Sequence, residues 1–60
     1  MNEIEKEELD RAMNLLIEAR DIIESIKYNP INPKAYKSLE YALDKIEDAE
    51  LDITEAQKAT

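Results

Sequence analysis

Cysteine, histidine, glycine, tryptophan and phenylalanine are all missing from these 60 residues, and proline occurs only twice. Without cysteine there is no disulfide, and without His or Cys there is no zinc site, so a structural metal would have to be a hard cation on carboxylates. Catalysis loses an imidazole base, a thiolate nucleophile and a glycine-rich phosphate loop. Carboxylate pairs remain, but a catalytic pair needs a cleft that perturbs one member, and a chain this short has little room for one. A non-enzymatic protein without cofactor or metal is expected. No apolar run reaches the length of a membrane span, and the opening MNEIEKEELD has no apolar signal region. Lack of cysteine fits a reducing compartment, so the expected location is the cytoplasm.

What is present points to helices. Charged residues make up 38% of the chain and hydrophobic ones 43%, and together with the absence of glycine this is the composition of long helices. The net charge of −7 argues against simple nucleic-acid binding, since affinity for a polyanion comes largely from basic groups that release counterions. Such acidity either solvates a small helical protein or mimics nucleic acid before a basic partner.

Both prolines fall in "YNPINPK". The residue before each is pushed out of the helical region, so Asn29 and Asn32 cannot be interior helix positions. Asn32 before Pro33 has the form of an N-cap with proline at the first helical position, and Asn2 with Glu5 has the spacing of a capping box. The chain is therefore expected to be all-α: a helix over about 3–28, a corner at 29–32 and a helix over about 33–58, folded as an antiparallel hairpin in a single domain.

Ala35, Ala42, Ala49 and Ala56 recur every seven residues. With Leu39, Ile46 and Ile53 at heptad position a, these alanines occupy d. In the first helix Leu9, Leu16 and Ile23 take a, while Ala12, Ala19 and Ile26 take d. A strict seven-residue repeat keeps one seam against a neighbour, and alanine there lets backbones approach closely. Met13, Leu15 and Ile22 flank the first seam and widen its apolar face beyond what one neighbour covers. Sixty residues without a disulfide or metal bury too little alone, so two hairpins are expected to form a homodimeric four-helix bundle.

That architecture resembles the plasmid-encoded Rop family, short hairpins that dimerise into bundles with layers of small and large residues. No motif of that family is matched, and its RNA-binding role is not implied for a chain this acidic. "NPKAYKSLEYALDKIEDAE" also resembles the opening of a tetratricopeptide repeat at Pro33, Ala35, Tyr36 and Leu39. It departs at Glu40, where that repeat has glycine, and no 34-residue period follows. We treat this match as chance.

The charges are polarised. Between Ser25 and Leu39 the only charged residues are Lys27, Lys34 and Lys37, whereas the other 45 residues hold five basic and fifteen acidic groups. One use of this basic corner is dimer assembly, with the corner of one hairpin beside the acidic end of the other; Lys27 also suits a helix C-terminus. The other use is a site where Lys27, Lys34 and Lys37 meet a phosphate or acidic partner and Tyr28 and Tyr36 stack. On the outer face Tyr41 and Leu51 lie among Asp44, Asp48, Asp52 and Glu55, either as a docking patch for a protein partner or as scattered exposed residues. The acids Glu47, Asp48, Glu50 and Asp52 lack the glycine turn and spacing of a calcium loop. The expected function is an acidic protein-interaction module in the style of a phage, plasmid or archaeal regulator. The alternative is a nucleic-acid-binding regulator using the corner.

Overall fold

The computed structural model describes residues 2–29 and 31–59, so Pro30, part of the expected corner, lies outside the described residues. The described chain is two helices, α1 (Glu3–Lys27) and α2 (Pro33–Lys58). They pack side by side as an antiparallel hairpin 45 Å long and 15 by 10 Å across.

Both helix starts are built as their sequences require. Asn2 Oδ1 accepts a hydrogen bond from the Glu5 backbone N–H at 2.9 Å, and the Glu5 side chain accepts from the Asn2 N–H at 3.5 Å, which completes a capping box. At α2, Asn32 Oδ1 accepts from the Ala35 N–H at 2.8 Å with Pro33 following the cap. Each bond satisfies a donor that the first helical turn leaves without an intrahelical partner. Glu3 and Glu5 complement the positive end of α1, and Lys27 and Lys58 lie in the last turns, where cations suit the macrodipole. Tyr28 caps α1 instead of extending it, and the Asn29 N–H closes the end by donating to the Ile26 carbonyl at 3.1 Å.

The residues that the heptad places in the seam differ in exposure. Leu9, Ala12, Leu16, Ala19 and Ile23 on α1, and Ala35, Leu39, Ala42, Ile46, Ala49, Ile53 and Ala56 on α2, are all half-buried. Ile26, placed in the same seam by the heptad, is instead 41% exposed. The most deeply buried residue is Leu43, at 7% exposure, which heptad counting leaves beside the seam. A straight helix drifts about 20° per heptad from a strict seven-residue repeat, so in a short hairpin the contact widens onto the next position round.

Three side-chain links cross between the helices on the flank that carries Leu43. Arg20 Nη1 donates to both carboxylate oxygens of Glu50, at 2.9 and 3.2 Å. Lys27 Nζ lies 3.9 Å from Glu40 Oε1 and 5.0 Å from the centre of the Tyr36 ring. Gln57 Nε2 donates to Asp10 Oδ1 at 2.8 Å. These links tie α1 and α2 together near the corner, at mid-length and towards the ends, and they make this the polar flank of the hairpin.

Candidate interaction surfaces

The opposite flank has no such links among the described residues. At about 3.6 residues per turn, Leu15, Ile22 and Ile26 project roughly 120–160° round α1 from Arg20. Leu15 and Ile22 remain 56% and 55% exposed. Ile4, also exposed, precedes Ile22 by a whole number of turns and falls on the same line. Ala12 and Ala19 continue this surface towards the groove, and the alanine row of α2 lines its far side. The rim is formed by Ser38, Lys45 and Asp52. The result is a largely apolar strip along one side of the hairpin, interrupted by Glu8, which precedes Ile26 by a whole number of turns.

The size of this deficit can be judged by area. A compact monomer of 7.0 kDa exposes about 4,000 Å2 by the usual mass scaling, whereas this hairpin exposes 4758 Å2. The excess of about 700 Å2 is close to the ~800 Å2 that each partner contributes to a standard protein interface.

The basic corner is assembled less fully than its composition implies. Lys27 is half-buried and engaged by Glu40 and the Tyr36 ring, so it is committed to the hairpin itself. Lys34 and Lys37 are exposed in the first turns of α2 and have no ion-pair partner among the described residues. Tyr28 is 90% exposed beyond the end of α1. Glu24, Lys27, Tyr28 and Tyr36 line a shallow cleft of about 230 Å3.

Tyr41 and Leu51 do not form one patch. They stand ten residues apart on α2, which is about 15 Å along the axis at about 1.5 Å per residue. Leu51 shares a second shallow concavity with Met13, Glu47, Glu50 and Thr54 on the polar flank, whereas Tyr41 projects away from it. A third concavity, lined by Glu24, Lys27, Glu40, Leu43, Asp44 and Glu47, lies on that flank too. At about 230, 330 and 290 Å3, all three sit near or below the lower limit of the about 300–1,000 Å3 typical of small-molecule sites.

Among the described residues no three acidic side chains are placed to hold a metal ion, and no helix is long and apolar enough to cross a membrane. Comparison with protein-family models, with curated proteins and with solved structures gave no match. The surface chemistry of the hairpin is therefore what bears on its role.

Proposed function

We propose that this chain is a cytoplasmic, non-enzymatic protein-interaction module that works as a homodimeric four-helix bundle and modulates another protein through an outer helical face. The observation that carries the reading is the apolar strip of Leu15, Ile22 and Ile26 on a hairpin whose other flank is closed by polar links. Pairing two strips supplies the core that one hairpin lacks. The outer faces, with exposed Tyr41 and the acids beside it, then stay available to a partner of a different kind.

The test has two stages. Sedimentation at micromolar concentration should give twice the 7.0 kDa chain mass. Tagged wild-type and Tyr41→Glu dimers are then compared for capture from an extract of the source cells. A protein held by the wild type and lost from the variant supports the outer face, and identical capture by both contradicts it.

A second reading rests on Lys34, Lys37 and Tyr28, exposed together about the corner. In a dimer these groups would give a nucleic-acid contact against the sign of the overall charge. It requires binding of short RNA or DNA that weakens steeply with salt and disappears in Lys34→Glu. No binding at low salt rejects it.

A further inference from the structure

The hairpin is electrically polar along its 45 Å length. Its corner, Ser25 to Leu39, carries three lysines and no acid, with Lys34 and Lys37 free of the Glu40 pairing that engages Lys27, while the opposite end, residues 1–14 and 46–60, carries ten acids and three bases. We propose that the second hairpin lies on the Leu15, Ile22 and Ile26 flank in reversed orientation, with each corner beside the other copy's termini. This inference rests on the dimeric reading above and adds the direction of packing.

Two face-to-face arrangements with a two-fold axis are available. In one the corners lie side by side and α1 faces the partner's α2; in the other they lie at opposite ends and like helices face each other. Net repulsion between two chains of charge −7 is common to both and largely cancels from the comparison. What differs is which ends meet. Side-by-side corners set lysines against lysines and the acidic ends against each other, whereas reversal sets each basic corner against an acidic end. Such complementarity acts on orientation and register more than on affinity.

The apolar pattern is compatible with reversal at full overlap. Leu15 is the midpoint of α1, and Ile4 and Ile26 stand eleven residues to either side of it. Half a turn about that midpoint brings Leu15 to its own copy and Ile4 level with the partner's Ile26, and sets Ile22 level with the second copy's Glu8, whose aliphatic stem can cover it while the carboxylate stays in solvent. On α2, Ala35 and Ala56 each lie two residues inside the helix ends, so the alanine row is itself symmetric about the middle of that helix. A surface that meets its own copy this way is what an isologous two-fold interface requires.

The chain has no cysteine, so single cysteines report orientation cleanly. Asn29→Cys marks the corner and Lys58→Cys the acidic end, both at exposed positions. Each variant alone, and an equimolar mixture, is equilibrated in a thiol–disulfide buffer after sedimentation has established its mass. The expected result is a mixed disulfide several-fold above its statistical share, with little cross-linking of either variant to itself. A dimer in which Asn29→Cys joins efficiently to itself overturns the reversed orientation and leaves the dimer standing. A monomeric mass overturns both.

Discussion

Arg20 and Glu50, thirty residues apart in the chain, meet across the hairpin with Nη1 2.9 Å from Oε2 and a second contact of 3.2 Å to Oε1. The two side chains are 30% and 17% exposed, so the pair is sheltered without being buried, and it fixes which turn of α1 faces which turn of α2. Arg20→Ala should destabilise the fold by about 1 kcal/mol, as expected for a charge-assisted pair still partly open to water. The charge-swapped double variant Arg20→Glu with Glu50→Arg should recover part of that loss. Urea denaturation at fixed chain concentration measures both, and equal destabilisation of single and double variants would deny the pair a role in register.

Leu43 is the most deeply buried side chain, and Leu51, eight residues on, is 65% exposed. Truncation should therefore act very differently at the two. Leu43→Ala is expected to cost about 2–4 kcal/mol through lost burial and a residual cavity, and Leu51→Ala less than about 0.5 kcal/mol. Thermal melting followed by circular dichroism checks the contrast; similar shifts would mean that the contact line between the helices is misplaced.

Asn32 holds the first turn of α2 through the 2.8 Å bond from the Ala35 N–H. Replacing it by alanine should lower stability by about 1 kcal/mol, whereas Asn32→Asp should be tolerated because it keeps the acceptor and adds favourable charge at the helix start. Hydrogen exchange at Ala35 reads the cap directly. Unchanged protection in Asn32→Ala would show that the bond contributes nothing.

The alanine row is half-buried, and in a close-packed seam it leaves no room for larger side chains. Ala42→Leu or Ala49→Leu should cost roughly 1–3 kcal/mol by overpacking, or shift the assembly state. Gains in stability with no change in mass would mean that the row faces open solvent.

The sequence told much about local structure and little about how the helices meet. Asn2 with Glu5, and Asn32 with Pro33, are short-range devices, and each helix starts where its cap predicts. Leu43 could not be ranked first in burial, because a strict heptad assigns it to a flanking position and only the angle of approach to α1 covers it. Ile26 shows the converse: its heptad position is internal, yet the corner leaves it open. The Arg20–Glu50 link depends on packing thirty residues apart, and nothing in either neighbourhood selects that partner. At the candidate surfaces, lysine content marked the corner, but its composition gave no sign that Lys27 is held by Glu40 and Tyr36. Tyr41 and Leu51 looked alike as apolar residues among acids, and their separation along α2 emerges only once both are placed on the helix.

The most direct measurement on the central claim is equilibrium sedimentation of the wild type beside Ile22→Asp, over chain concentrations from about 1 to 100 μM. Ile22 lies on the open flank, so an aspartate there should leave the helix intact while placing two like charges in the paired interface. A paired hairpin should show a wild-type mass of twice 7.0 kDa and a melting temperature that rises with concentration. Ile22→Asp should sediment as a single helical chain or melt with no dependence on concentration. A wild type that stays at 7.0 kDa throughout, or an Ile22→Asp dimer as tight as the wild type, would contradict this pairing.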